Sequence, residues 1–357
     1  MKVVLIGLGQ AGGKIAQALA THDYEQEFGA VQDAMAINTA RADLQSLDID
    51  TMLIGQDRVK GHGVGGDNEL GAEIMQSESE EVFDGLDGRV TSRAEALVVV
   101  AGLGGGTGSG GAPVLAKELK RIYDVPVYVL GVLPGRGEGA IYQANAGRSL
   151  KTVAREADAT LLIDNDAWKS SEESIGEGFE TINDQIAQRV GLLLASGEAV
   201  EGVGESVVDS SEIINTLNPG GIAAVGYASA EASTDGSDNV NTITSLARKA
   251  LLTGTSLPNA VKAETALLVI AGEPSRISRK GVERARRWVE DETGSLEVRG
   301  GDFPLETDRL AALVLLGGVE RSQRVQEFMD RAAEAAKEAE KPRETTDFRN
   351  EELEDLF

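Results

Sequence analysis

The sequence predicts an α/β protein whose first half is a parallel sheet covered by helices on both faces. Short apolar runs alternate with helical patterns from residue 2 to residue 166, which is typical of a doubly wound sheet. Glycine-rich loops follow most of the apolar runs, at 7–13, 61–68, 101–111 and 134–139. In such a sheet these loops meet at one edge, where α/β proteins bind their ligands.

Composition limits the chemistry that the chain can perform. Its 357 residues, 41% of them hydrophobic, are enough for two domains of ordinary size. It has no cysteine and only two histidines, His22 and His62, which excludes disulfides, thiol nucleophiles and His/Cys zinc sites. An enzyme of this composition must work with carboxylates and backbone amides, with or without a hard cation.

The chain is strongly acidic, with 34 Lys and Arg against 59 Asp and Glu and a net charge of −25. This charge opposes binding to nucleic acid and to anionic membranes, and no stretch reaches the roughly 18 apolar residues of a membrane span. We expect a cytoplasmic protein, because a strand pattern begins at Lys2 and leaves no room for a signal peptide. The excess of acids also predicts a halophilic source, since molar salt screens self-repulsion beyond about 3 Å.

The first strand, Lys2–Ile6, leads into a glycine loop and a helix, and a second strand over 34–37 ends at Asn38. A NAD site would have an acid where Asn38 stands, so a NAD-dependent oxidoreductase is a disfavoured alternative. The loops also lack the lysine of a GK[ST] P-loop. The glycines of the first loop nevertheless satisfy GxGxxG, at Gly7, Gly9 and Gly12.

The richest glycine loop, residues 101–111, contains seven glycines and follows the apolar run Ala96–Val100. We expect the next helix to begin near Gly110. Glycines let the backbone approach a ligand closely, and a helix start points free N–H groups and its positive dipole end at the loop. The pattern predicts a phosphate-binding loop; a flexible linker, the alternative, would not stand between a buried strand and a helix.

The remaining elements of this half continue the alternation. His62 is expected to be a solvated loop residue, and the last strand ends in Asp164-Asn165-Asp166. In order, the predicted elements are a strand over 51–54, a helix over 69–82, a strand over 127–133, a helix over 140–156 and a strand over 159–163.

A long amphipathic helix over 176–196 is expected to bridge two domains. Phe179 and Asn183, four apart, share a face where a ring and an amide can bind a base, and core packing is the alternative for Phe179. Asp209 and Glu212, three apart, share a face of the next helical turn. They can position water or a cation, or simply stabilise a helix start as acids in its first turn.

After Asn218 the pattern is that of a second α/β domain without a glycine nucleotide loop. A charged helix over 321–340 follows, and the tail Asp347–Phe357 is expected to be disordered, with apolar side chains that can anchor a partner protein. The predicted organisation is a nucleotide-binding domain at 1–175, a central helix at 176–198, an acid loop and helix at 199–220, a C-terminal α/β domain at 221–330 and a charged helix end with tail at 331–357.

Together the loops resemble those of the tubulin and FtsZ superfamily of GTPases. The segment Gly104–Gly110, GGGTGSG, reads as the tubulin signature, and the other loops match in order and spacing over roughly residues 1–330. The resemblance implies a Rossmann-like GTP-binding domain joined by a long core helix to a smaller α/β domain. It also raises Phe179 to an expected guanine-stacking residue, with Asn183 bonding the base.

The resemblance further implies which residues bind GTP or GDP, with Mg²⁺ held through the phosphates and no direct protein ligand. Asp209 and Glu212, spaced as in α-tubulin, would position the attacking water at the GTP of the next subunit in a head-to-tail filament. The implied GTP-binding residues are Gly9, Gln10, Ala11, Gly12, Gly13, Lys14, Asn38, Gly65, Gly66, Asp67, Gly104, Gly105, Gly106, Thr107, Gly108, Ser109, Gly110, Glu138, Asn165, Phe179 and Asn183.

Two positions depart from the pattern of the division proteins. Tyr142 stands where they have an arginine near the γ-phosphate, and Asp164 replaces the proline before the base-side asparagine. With the acidic composition, these features resemble the archaeal tubulin-like CetZ group, which implies a role in cell shape. The alternatives are an FtsZ-like division GTPase and a non-hydrolysing GTP-binding scaffold that recruits partners through its tail.

Overall fold

A computed structural model describes residues 1–168, 175–198, 208–320 and 322–340. Side chains are not described at 175–180, 336 and 338–340. The strands are β1 Val3–Leu8, β2 Val31–Asn38, β3 Asp50–Leu53, β4 Ala96–Gly102, β5 Val127–Leu133, β6 Ala159–Asp164, β7 Ile222–Glu231, β8 Ala263–Gly272, β9 Glu297–Pro304 and β10 Arg309–Val319.

Helices alternate with these strands through most of the described chain. They are α1 Gly9–Glu25, α2 Arg41–Leu44, α3 Gln56–Val59, α4 Asn68–Ser77, α5 Ser79–Leu86, α6 Thr107–Ile122, α7 Ala140–Glu156, α8 Ile175–Ser196, α9 Ser210–Leu217, α10 Val240–Leu252, α11 Arg279–Thr293 and α12 Gln323–Glu340.

The described strands form one sheet in the order β3-β2-β1-β4-β5-β6-β7-β10-β8-β9. Its first six strands are all parallel, as the alternation of apolar runs and helices predicts. A short parallel pairing, Thr160 with Ile222 and Leu161 with Ala223, joins β6 to β7. Beyond it β10 runs antiparallel to both of its neighbours, so the C-terminal part of the sheet is mixed.

Both faces of the parallel half are covered, which explains why its strands are apolar without alternation. Helix α8 supplies Ile186 and Val190 to the core on one face, together with Leu19 of α1. On the other face Leu115 of α6 and Phe328 of α12 belong to the second core. The last helix of the described chain therefore packs back onto the N-terminal half, where its Ala332 leaves no space for a Cβ on Gly147 of α7.

Helix α6 begins at Thr107, three residues earlier than the pattern predicts. Pro113 consequently lies inside the helix, where it cannot donate to the carbonyl of Ser109 four residues back. That carbonyl accepts instead from the hydroxyl of Ser149 at 2.7 Å. A hydrogen bond from a distant helix thus permits a helix boundary that local sequence rules place later.

The helix predicted over 69–82 is two helices, α4 and α5, which meet at Glu78. The carboxylate of Glu78 accepts from the amide of Gly55 at 2.8 Å. The break therefore lets this side chain bond the loop after β3, which the apolar periodicity did not indicate.

Candidate functional site

A cavity of about 560 Å³ opens at the carboxyl edge of the parallel strands. The loops after β1, β4, β5 and β6 all contribute to its wall, as does the 61–68 loop before α4. This volume is within the range of small-molecule sites. The sequence predicted the meeting of these loops at this edge, and the structure confirms it.

Three helices begin at the cavity wall without a side-chain cap among the described residues. They are α1 at Gly9, α6 at Thr107 and α7 at Ala140, and none has an acid in its first turn. By contrast, α4 is capped by Asp67 at the amide of Leu70, 3.0 Å away. Free N–H groups and three positive dipole ends therefore converge on one cavity, which makes it an anion site inside an acidic protein.

Buried polar side chains hold the loops of the cavity in place. The hydroxyls of Thr39 and Thr107 lie 2.8 Å apart and join the end of β2 to the start of α6. Asn145 of α7 donates from Nδ2 to the carbonyls of Gly66, at 2.8 Å, and Gly104, at 3.1 Å. Asn145 is 3% exposed, and sequence reasoning missed it because nothing near it in the chain marks its partners.

Asn38 organises the turn that follows β2. Its Oδ1 accepts from the amide of Thr39 at 2.8 Å, and its Nδ2 donates to Asp43 at 3.0 Å. Both Asn38 and Asp43 line the cavity. Where a NAD site would have an acidic residue, this chain thus has the amide of Asn38, which is hydrogen-bonded to the carboxylate of Asp43.

Most of the predicted nucleotide-binding residues line the cavity. Others outside the predicted set also line it, among them Ala40, Asp43, His62, Gly63 and Val64, and so does Tyr142, which the resemblance places near the γ-phosphate. The predicted residues that line it are Gly9, Gln10, Ala11, Lys14, Asn38, Gly65, Gly66, Gly104, Gly105, Gly106, Thr107, Gly108, Glu138, Asn165 and Asn183.

The other predicted residues whose side chains the structure describes do not line the cavity. A Cβ on Gly12 would lie 2.2 Å from the carbonyl oxygen of Val100, and one on Gly110 would lie 2.0 Å from that of Asn68. Both glycines therefore permit close backbone packing beneath the loops. Gly13 is buried in α1, Ser109 donates to the carbonyl of Gly105, and the side chain of Phe179 lies outside the described residues.

One wall of the cavity is formed by Pro134, Glu138 and Asn165. The carboxylate of Glu138 accepts from the amide of Gly135 at 2.6 Å and closes this loop on itself. Asn165 is 8% exposed and follows the last residue of β6. Asn183 of α8 lines the same cavity, so amides from two elements are available to a bound ring.

Asp209 and Glu212 lie at the opposite edge of the sheet. The hydroxyl of Ser210, between them, donates at 2.7 Å to Glu95, which immediately precedes β4. The same carboxylate accepts from the amide of Lys2, just before β1, at 2.7 Å. Because β1 and β4 span roughly 20 Å at 3.3 Å per residue, these acids cannot reach the cavity of their own chain.

The two acids have different electrostatic environments. Asp209 caps α9 by accepting from the amide of Glu212 at 3.2 Å, and a hydrogen bond from the Ser211 hydroxyl lowers its pKa. Burial, and next the charge of Asp209, raise the pKa of Glu212. The Oε2 of Glu212 is buried without a hydrogen-bond partner among the described residues. The pair therefore combines Asp209, whose charged form is stabilised, with Glu212, whose Oε2 has room to accept a hydrogen bond from a donor such as water.

Comparisons with known proteins agree with this geometry. The model for the GTPase domain of the Tubulin/FtsZ family matches residues 2–172, and the model for the C-terminal domain of tubulin-like CetZ matches residues 172–334. Tubulin-like protein CetZ2 of Haloferax volcanii is 69% identical over 360 residues, which cover 100% of both chains. The chain belongs to the CetZ family of tubulin-like proteins.

Solved CetZ structures match the whole fold. CetZ2 of Haloferax volcanii, described as a GTPγS-bound protofilament, has a TM-score of 0.92 at 69% identity and covers 95% of this chain and 100% of its own. CetZ1 of the same organism, described as a GDP-bound monomer, has a TM-score of 0.87 at 50% identity, with 94% and 100% covered. The resemblance to the CetZ group and the predicted fold class are therefore confirmed.

The part of this CetZ chain that the structure describes contains no helix long and apolar enough to cross a membrane. Within the same residues, no group of three or more His, Asp or Glu side chains is placed to hold a metal ion.

Proposed function

We propose that this CetZ protein binds GTP in the cavity at the carboxyl edge of its sheet and hydrolyses it when a second subunit stacks on that edge. The convergence of three uncapped helix N-termini carries the proposal, because it suits a chain of phosphates. GTP is the nucleotide because the chain carries a Tubulin/FtsZ GTPase domain and resembles GTPγS-bound and GDP-bound relatives.

The catalytic acids come from the neighbour. The cavity and the Asp209–Glu212 pair lie at opposite edges of one sheet, so head-to-tail stacking places the pair of one subunit over the cavity of the next. Phosphoryl transfer depends on positioning and charge neutralisation, and here carboxylates that orient water complete a site built from backbone donors. The protofilament of the 69% identical relative supports this arrangement.

Mg²⁺ suits the donor set of the cavity. Magnesium usually keeps several waters and is bound through phosphates, so here the nucleotide would hold it, and the carboxylates of Asp43 and Glu138, which line the same cavity, would be available to its waters. When bound, the ion would neutralise charge on the phosphates. The residues proposed to touch the nucleotide are those already placed in the cavity, with Phe179 added from α8.

Subunit mixing tests the shared site. Glu212→Ala should bind GTP like the unaltered protein yet lose nearly all turnover. Gly105→Asp places a carboxylate in the phosphate loop, where no described atom lies within 4 Å of an added Cβ, and should abolish nucleotide binding while sparing the acid pair. Neither variant should hydrolyse GTP alone, but a mixture should, because an intact cavity then meets an intact acid pair.

The controls follow from the same geometry. Turnover per subunit should rise steeply with protein concentration, and a flat dependence would indicate a self-contained site. Mixtures without activity would refute the division of the site between subunits. The competing function, a non-hydrolysing scaffold, predicts no turnover at any concentration.

For the cellular role we propose control of cell shape, which the CetZ family membership favours over an FtsZ-like role in division. The tail Asp347–Phe357 lies outside the described residues, and docking of a partner protein there stays a prediction. A fluorescent fusion followed in dividing and in shape-changing cells separates the two roles, since a division protein must form a midcell ring in every dividing cell.

A further inference from the structure

Arg324 is a charged side chain almost completely removed from solvent. Its Nε lies 2.8 Å from Oδ2 of Asp164 and its Nη2 lies 3.3 Å from Oδ1. The side chains are 2% and 1% exposed. Such a two-pronged pair fixes the relative orientation of its partners as well as neutralising them.

The pair joins the last described helix to the cavity wall. Arg324 is the second residue of α12, whereas Asp164 ends β6 and directly precedes Asn165 in the wall. Beneath the pair, the guanidinium lies 4.1 Å from the ring centroid of Phe328, which is fully buried. Packing of α12 on the N-terminal half therefore sets the position of the guanidinium.

The guanidinium also reaches the second loop of the same wall. Its Nη2 lies 3.4 Å from Oδ2 of Asp166 and 3.5 Å from the carbonyl oxygen of Pro134. That oxygen of Asp166 accepts from the amide of Arg136 at 2.7 Å. The loops 134–139 and 164–166, which carry Glu138 and Asn165 to the cavity, are thus held together from behind by Arg324.

We propose that Arg324 is a positioning residue of the nucleotide site, through which α12 sets the affinity for GTP and the discrimination between bases. The inference rests on the proposed GTP binding and adds a control on it from the far end of the chain. It also gives a physical reason for Asp164, the residue that departs from the proline of the division proteins. An ion pair holds the backbone where a proline ring would restrict it.

Loss of Arg324 should move the wall rather than merely loosen the helix. Asp164 and Asp166 would remain as two carboxylates close together without their shared cation, and their repulsion acts on the backbone on both sides of Asn165. Because the Arg324–Asp164 ion pair is buried, the effect of losing it should persist in high salt. The ion pairs of the half-exposed Arg136 with Asp166 and Glu327 are instead open to screening.

Equilibrium binding of GTP and of ITP, whose base lacks the 2-amino group, tests the proposal in about 2 M KCl, where exposed charges are screened. Arg324→Met should raise the Kd for GTP roughly tenfold or more, which is the scale of one lost hydrogen bond to a charged group. It should also bring the Kd values for GTP and ITP closer together. Arg324→Lys, a charge without the fork, should lie between. Arg331→Met, a partly exposed arginine on the same helix, is the matched control and should bind like the unaltered protein.

The double variant Asp164→Asn with Arg324→Met keeps the test valid if the single variant does not fold. It leaves no unpaired carboxylate at residue 164 but still lacks the ion pair between α12 and β6. Its Kd for GTP should therefore rise, and its Kd values for GTP and ITP should move closer together, both by less than in Arg324→Met. A lowered Tm with unchanged Kd values for GTP and ITP in these variants would overturn the proposal and leave GTP binding standing. If the unaltered protein itself fails to bind GTP, both proposals fall.

Discussion

The hydroxyl oxygens of Thr39 and Thr107 lie 2.8 Å apart beneath the cavity. Thr39 is 0% and Thr107 is 7% exposed, so both hydroxyl groups are largely removed from solvent. The bond ties the loop after β2 to the first turn of α6, 68 positions away in the sequence. Two of the loops that form the anion site therefore share one buried hydrogen bond.

Removal of this bond should destabilise the protein. Thr39→Val keeps the side-chain shape but leaves the Thr107 hydroxyl unpaired, which should lower the free energy of unfolding by about 1–3 kcal/mol. Thr39→Ser keeps the hydroxyl and is the control, with a smaller loss. Urea denaturation measures both, and equal losses in the two variants would show that the hydroxyl contributes little.

Two glycines of the phosphate-facing segment should respond differently to alanine. Gly110→Ala drives a methyl group against the backbone of Asn68 and should cost about 1–3 kcal/mol of stability. At Gly105, which lines the cavity, no described atom lies within 4 Å of an added Cβ. Gly105→Ala should therefore leave stability within about 0.5 kcal/mol and weaken GTP binding, since the methyl occupies ligand space.

Thermal unfolding and nucleotide titration, run in parallel, separate these effects. The prediction fails if Gly110→Ala is as stable as the unaltered protein. It also fails if Gly105→Ala binds GTP with unchanged affinity.

The acid pair predicts a stability that depends on pH. The pKa of Glu212 is raised, chiefly by burial and then by Asp209, so its ionisation opposes folding. This cost is absent below the pKa of an unfolded glutamate, about 4.3, and develops as the pH rises through the higher pKa of the folded protein.

Glu212→Gln should therefore be more stable than the unaltered protein at neutral pH, while losing GTP turnover, and this advantage should vanish below about pH 4. Urea denaturation at the two pH values measures the difference. Asp209→Ala is the comparison: it removes a helix cap and should cost about 1 kcal/mol near neutral pH. A Glu212→Gln protein that is less stable at neutral pH would contradict the assigned electrostatics.

Salt should stabilise the fold. A net charge of −25 produces self-repulsion that screening removes as the Debye length falls from about 10 Å at 0.1 M to about 3 Å at 1 M. The free energy of unfolding should consequently rise from low to molar KCl, measured by urea denaturation at each concentration. A protein that is equally stable with and without molar KCl would contradict the halophilic interpretation of its composition.

Features carried by neighbouring residues could be read from the sequence. The buried strands, the glycine loops after them and the edge at which those loops meet follow from local periodicity and from the geometry of parallel sheets. The start of α6 at Thr107 could not, because the Ser149 hydroxyl that satisfies the Ser109 carbonyl belongs to another helix. The role of Asn145 could not be predicted either, because its partners, the carbonyls of Gly66 and Gly104, belong to distant loops.

The pair Asp209 and Glu212 shows most clearly how local sequence information differs from tertiary placement. Spacing alone left Asp209 and Glu212 open to two interpretations, and the resemblance to tubulin supplied a role for them. Their position at the amino edge of the sheet, bonded through Ser210 to Glu95, is a property of the folded chain. That position is why a complete site requires a second subunit in the proposed mechanism.

By itself, the sequence determined the α/β class, the acidic surface, the exclusion of thiol chemistry and the anion-binding character of the glycine loops. These depend on residue type and on partners a few positions away. Only the tertiary structure decided that a buried Arg324 meets Asp164 across 160 positions and that acids and cavity occupy opposite edges. Such relationships arise from packing of distant elements, and no local propensity encodes them.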